Sequence, residues 1–264
     1  MPVVFKRPIG PVVSTITADQ WLALPKSKRP STVAFWKGEG LDGAPIVAIL
    51  TGLVLKSSNR KTGEMAQSYI VRQDMSPMDA SRLGLDVSVC GTCDLRQHLV
   101  AKILAETGER KAKCYVNVGW LTKMWTGWYT GQVVWMDPVE VGKLLDYLSL
   151  PLRQGAYGDP AAVPLSVWDA MDTVKGTSYS HQWKSIDIKK YAMASVKNLK
   201  EAQEAQSKGW RTYRVDVEQV GPQAGEIMCP AESKGVTCAA CGLCNGTRGK
   251  SAKSIVIDPI GKFN

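Results

Sequence analysis

Apolar and polar positions follow two different rhythms along this chain, and the change falls near residue 113. Residues 1–44 scatter Pro and Gly around one short helical pattern, "TADQWLALP". "PIVAILTGLVLKSSNRKTGEMAQSYIVR" then sets two apolar runs on either side of a polar Asn/Gly segment, which predicts a β-hairpin. "MSPMDASRLG" predicts a short helix capped by Ser76 with Pro77 in its first position. "DLRQHLVAKILAETG" places Leu95, Leu99, Ile103 and Leu104 at helical spacing, with Gly108 as the stop and the start directly after Cys93.

Beyond residue 113 the pattern becomes short and alternating. "CYVNV", "PLRQGAY", "TSYSHQW", "YAMASV" and "WRTYRVDV" read as strands, while "AAVPLSVWDAMDTVKG" and "KNLKEAQEAQSKGW" read as helices between them. Leu199, Ala202 and Ala205 share one face of the last helix. Strands separated by helices predict βα units and a parallel sheet. The connections are too irregular for an eight-fold barrel. The expected class is therefore α/β: a partial or distorted β/α barrel, with an N-terminal β-hairpin region and a C-terminal cysteine-rich metal-binding loop. Residues 1–112 form the hairpin region with the first cysteine pair, 113–220 the barrel-like core, and 221–264 the cysteine cluster and a last strand.

In such folds reactive groups collect at the carboxyl ends of strands. Those ends supply Tyr157-Gly158-Asp159, His181-Gln182-Trp183, Ser195 with Lys197, and Arg214 with Asp216. Asp159, His181 and Lys197 are the candidate catalytic or substrate-positioning groups, and Tyr157, Ser195 and Arg214 the candidate cofactor contacts. Each also has a plain structural reading; Asp159 before Pro160 is a natural helix N-cap.

Composition narrows the field. At 264 residues and 44% hydrophobic the chain can bury a full core. No apolar run reaches the roughly 18 residues of a membrane span, and the opening "MPVVFKRPIGPVVS" has no signal-peptide core, so a cytoplasmic location is expected. A net charge of +9 suits a polyanionic partner, nucleic acid or nucleotide, or else serves solubility. Only two histidines occur, His98 and His181, which excludes a site built on a His-x-His pair.

All seven cysteines fall into two sets. Cys229, Cys238, Cys241 and Cys244 have the spacing C-x8-C-x2-C-x2-C. Four thiolates complete a tetrahedral zinc site or a [4Fe–4S] cluster. Gly242 and Gly246 supply the positive φ such loops use. Cys90, Cys93 and Cys114 form the second set, C-x2-C-x20-C. His98 would complete it as a zinc site; without His98, a three-cysteine [4Fe–4S] cluster keeps one iron open. The plain alternative makes Cys114 a buried strand residue and Cys90/Cys93 a redox-silent pair.

"CGTCDLR…KCYVNVG", "LRQGAYGDPAAVP", "MASVKNLKEAQEAQSKGWRTYRV" and "CPAESKGVTCAACGLCNG" together resemble a family of bacteriophage and prophage proteins over roughly residues 50–258. That family supplies no activity to carry over; a phage origin would imply the cytoplasm of a bacterial host. A cysteine followed by Tyr, a "GDP" strand end and a late four-cysteine cluster are similar to radical S-adenosylmethionine enzymes. That likeness implies a partial β/α barrel, an auxiliary cluster and S-adenosylmethionine as a ligand. The departure is that the superfamily uses C-x3-C-x2-C in one loop, whereas here the three cysteines run from position 90 to 114.

Two further segments bear on a nucleic-acid partner. "GWLTKMWTGWYTGQVVW" carries Trp120, Trp125, Trp128, Tyr129 and Trp135, which suit either stacking on unpaired bases or core packing. "NGTRGKSAKSIVIDPIGKF" sets Arg248, Lys250 and Lys253 beside the second cluster, and with Arg214 they form the expected basic face. Two readings follow: an iron–sulfur enzyme acting on a nucleotide or nucleic acid, or a zinc- or iron–sulfur-stabilised nucleic-acid-binding protein without catalysis. Oligomeric state is left open.

Overall fold

The structure, a computed structural model, describes residues 14–54, 61–108, 114–172, 176–249 and 251–259. Its frame is a mixed α/β arrangement around one open sheet of ten strands. In chain order these are β1 (Thr32–Glu39), β2 (Pro45–Thr51), β3 (Ala66–Arg72), β4 (Val134–Trp135), β5 (Leu152–Tyr157), β6 (Gly176–Ser180), β7 (Met193–Val196), β8 (Thr212–Val215), β9 (Glu226–Met228) and β10 (Ser254–Ile257). Across the sheet they run β4-β1-β2-β3-β5-β6-β7-β8-β10-β9. Only β1–β2 and β2–β3 pair antiparallel; every other neighbour is parallel. The tip of the β2–β3 connection, residues 55–60, lies outside the described residues.

Strand β2 buries Ile46, Val47, Ala48, Ile49 and Leu50 in succession. A continuous apolar run of this kind belongs to a strand covered on both faces. Here α5 (Val118–Tyr129), α6 (Pro138–Tyr147) and α7 (Leu165–Ala170) contribute Leu121, Trp128, Leu144 and Trp168 to the same core. Farther along the sheet, Ala194 and Val196 of β7 pack under Ala202 and Ala205 of α8 (Leu199–Ser207). Met193, on the opposite face of β7, packs with Cys229 and Cys244.

Local chemistry sets the helix ends. Thr17 and Gln20 make a reciprocal capping box on α1 (Ala18–Ala23). Ser76 caps α2 (Pro77–Leu83), and Gly84 closes it in the left-handed conformation. Two sequence expectations need correction. "CYVNV" is no strand: residues 114–117 are irregular, and Asn117 accepts hydrogen bonds from Gly119 and Trp120 to cap α5. The helix after Cys93, α4 (Gln97–Thr107), starts at Gln97 because Arg96 is drawn into the interior.

Arg214 is also corrected from the expected surface contact. It is fully buried, and its guanidinium donates to both carboxylate oxygens of Glu226, to Asp216 and to the Gly221 carbonyl. Removing one member of such a buried ionic group strands its partners without compensation. We expect Arg214→Ala to cost about 3–5 kcal/mol, read as a lowered denaturant midpoint with unchanged slope.

Candidate metal centres

The first cysteine set lies at the carboxyl ends of β5, β6 and β7, where backbone and side-chain hydrogen bonds hold its loop. Cys90 ends α3 (Val87–Cys90), and the Cys93 N–H donates to the Cys90 carbonyl at 3.1 Å. The Cys114 N–H donates to the Leu95 carbonyl at 2.7 Å, which returns the distant third cysteine to this loop. The three thiols lie within electrostatic reach of one another. The Leu95 N–H donates to the Cys93 thiol and the Val116 N–H to the Cys114 thiol. Burial pushes all three up: Cys90 well above a free thiol, Cys93 to about 12, Cys114 in the same direction. Burial thus disfavours the free thiolate, the nucleophilic form, at all three. A metal would bind them as thiolates, with release of protons.

The loop is held from beneath. Asp159 accepts hydrogen bonds from Ala161 N–H at 3.0 Å, Ser180 Oγ at 2.8 Å and His181 N–H at 2.6 Å. Its own N–H donates to Val89. It is both the expected N-cap and the tie that places His181. Gln182 accepts from Thr92 and donates to the Cys90 carbonyl. Gly91 takes φ +53°, and a Cβ there would collide with the Gln182 amide. Arg96 donates to Asp86 at 2.7 Å and to the Gly84 and Gly91 carbonyls.

His181, Cys93 and Asp94 bring their ligand atoms within 4.8 Å of one another. Among the described residues no other set of three such groups, and no three thiols, closes to that distance. Burial lowers the His181 pKa against the upward pull of Asp159, which favours the neutral ring, the form that ligates metals. Lys197 pairs with Asp94 at 2.9 Å. His98 faces away: its Nδ1 lies 3.2 Å from the Arg82 carbonyl and its ring packs on Gly84. The Tyr157 hydroxyl is buried without a hydrogen-bond partner, close to Cys90 and Cys114. A buried hydroxyl left unpaired is costly. A sulfur or ligand atom among these thiols would relieve it, which fits a metal or cluster.

The second set sits on the face of the sheet shared by Thr177, Tyr179 and Tyr213. With the four cysteines these residues line one small pocket. Cys229 N–H donates to Val256 of β10, Cys238 N–H to Lys61 and Ala239 N–H to Thr62; Cys244 C=O accepts from Ser178 of β6. Thr237 caps the short helix α10 (Cys238–Cys241), following α9 (Pro230–Ser233). Gly242 and Gly246 take φ +61° and +64°, as the loop composition predicted. Arg211 braces the loop through the carbonyls of Gly246 and Lys253. Burial raises Cys244 to about 12, while the Tyr179 hydroxyl donates to its sulfur and lowers it. All seven cysteines are free thiols.

The expected site residues therefore divide. Asp159, His181, Lys197 and Tyr157 gather at the first set. Ser195, two positions after Met193 on β7, shares the face of the second set. Arg214 belongs to neither. Sequence reasoning missed Asp94, although it adjoins Cys93, and gave Gln182 no contact with the thiol loop. The basic face is also thinner than charge suggested: Arg248 pairs with Asp172 and lies over Tyr191, Lys253 is exposed, and Lys250 lies outside the described residues. Trp128 is core, and Trp125 donates to the Arg72 carbonyl; Trp120 is 51% exposed.

No family model, no curated protein and no solved structure matches the chain. Among the described residues, no helix is long and apolar enough to cross a membrane.

Asp159→Asn would turn a carboxamide N–H toward the His181 N–H. We expect a loss of about 1–3 kcal/mol of stability together with a lower metal content. A variant with normal stability and full metal content would remove Asp159 from the scaffold of this site.

Proposed function

We propose that the protein is an iron–sulfur protein with two centres that acts on a nucleotide or nucleic acid. Cys90, Cys93 and Cys114 hold the functional cluster, and Cys229, Cys238, Cys241 and Cys244 hold a structural one. The observation that carries this reading is the gathering of the thiols: Cys229, Cys238, Cys241 and Cys244 line one pocket, and Cys90, Cys93 and Cys114 lie within electrostatic reach of one another. In a cluster each thiolate meets a different iron. The backbone N–H and Tyr179 hydroxyl groups donating to sulfur, and the unpaired Tyr157 hydroxyl, support it further.

With three thiols, one iron of the functional cluster would be open to a small molecule, the chemistry that the likeness to radical S-adenosylmethionine enzymes implies. The open, mostly parallel sheet is compatible with the arc of a partial β/α barrel. The phage-family resemblance stands with this proposal and adds no chemistry to it. Asp159 would hold His181, and Lys197 would hold Asp94, at the mouth of the first centre.

A second reading has one observation in its favour. Cys93, Asp94 and His181 are close enough to share one ion, and a zinc there would make the protein a zinc-stabilised binding module without catalysis.

Purification without oxygen and metal analysis separate the two. Two [4Fe–4S] clusters require about eight irons per chain and a broad absorbance in the visible blue. Cys114→Ser should remove about half of the iron and leave the melting temperature nearly unchanged. Cys241→Ser should remove the other half and lower the melting temperature clearly, because metal binding there doubles as folding free energy. Stoichiometric zinc without iron would overturn the cluster reading, as would Cys241→Ser with full metal content and stability.

A further inference from the structure

Between the two cysteine sets lies a cation, Arg153, that no carboxylate among the described residues neutralises. Arg153 on β5 is the register partner of Gln67 on β3 and of Thr177 on β6, so its side chain rises on the face that carries the second thiol pocket. It is half-buried, and its Nη2 donates to the Tyr115 hydroxyl at 2.6 Å. Among the described residues no carboxylate pairs with it. The ionisable groups that act on it are the phenols of Tyr115, Tyr179 and Tyr69. Lys61, the other cation at this pocket, is engaged by Glu232 at 2.5 Å. Partly desolvated guanidinium groups are normally paired with an anion, so this one is set for an anion from outside the chain.

The surroundings say what kind. Tyr115 follows Cys114 directly and is 75% exposed; Trp120 is 51% exposed and sits 5.9 Å from the Tyr69 ring. Tyr179 and Tyr213 close the other side with ring centroids 4.2 Å apart. Arg153 lies near enough to Cys238 to lower its pKa, while Tyr115 adjoins the first set. A fork of N–H donors beside exposed aromatic rings matches a phosphate attached to a planar base.

We propose that the surface around Arg153 binds a nucleoside phosphate, with the phosphate on Arg153 and the base against the exposed rings of Tyr115 and Trp120, between the two cysteine sets. The inference rests on the nucleotide reading above and gives it a place. The shared chemistry is a phosphate ester next to a base, supplied either by a free nucleotide or by a single strand.

The test is calorimetric titration of the full, metal-loaded chain with the four nucleoside 5′-monophosphates, the matching nucleosides, glutarate, and a short oligothymidylate. At least one monophosphate should bind, about tenfold or more tighter than its nucleoside. Arg153→Met should abolish that difference. Tyr115→Ala, at an exposed position that folding tolerates, should weaken monophosphate and nucleoside by a similar factor. Oligothymidylate binding tighter than every mononucleotide, with the same Arg153 dependence and a steep fall with salt, identifies a single strand as the source; the reverse order identifies the free nucleotide. Glutarate binding as tightly as the monophosphates would overturn the proposal in favour of a carboxylate site. Unchanged monophosphate affinity in Arg153→Met, or no binding by the iron-replete protein, would overturn it and leave the cluster reading standing. Arg153-dependent binding by a chain that takes up no iron would do the opposite.

Discussion

The carboxylate of Asp159 is the point on which the first centre depends. It closes the turn after β5 and receives the hydroxyl and backbone N–H that end β6, while its own amide holds α3 through Val89. Two strand ends and the helix carrying Cys90 thus meet at one side chain. Burial raises its pKa, opposed by the hydrogen bonds it accepts. A buried anion in a protein interior persists only when its oxygens are satisfied. Asp159 therefore spends its bonding on geometry, and His181 takes its position from it.

The second centre is built by a different principle. Its thiols arrive on a loop with little apolar material of its own, fastened by backbone hydrogen bonds to β6, β10 and the connection before β3. The tyrosines beneath it provide both packing and a sulfur-directed hydroxyl. Where the first set is shaped by side-chain bonds at strand ends, the second is shaped by chain path.

Local signals were the legible part of the sequence. Caps and stops such as Ser76 and Gly108 act within a few residues, and they located their helices. Strand ends carrying Asp159, His181 and Lys197 were also readable, because parallel strands present their carboxyl ends together. What escaped were decisions made by distant partners. "CYVNV" alternates like a strand, yet among the described residues it pairs with no strand, and Asn117 ends it by capping α5. Arg214 and Arg153 are both arginines in short strands; Glu226 and Asp216 make the first a buried tie, whereas the second meets the Tyr115 hydroxyl and no carboxylate among the described residues. Asp94 was overlooked because its relation to His181 exists only after β6 has been laid beside the loop.

The bonds from Cys238 and Ala239 to the carbonyls of Lys61 and Thr62 join the two ends of the chain. During synthesis at about 5–20 residues per second, Cys238 leaves the ribosome roughly 10–35 s after Lys61. Throughout that interval the early hairpin must wait with its receiving carbonyls open to water, and β5 through β8 must be added in turn before the thiol loop has anything to dock on. Such long-range closure makes for slow folding. It also means that the second thiol loop docks last, well after the three cysteines of the first set have left the ribosome.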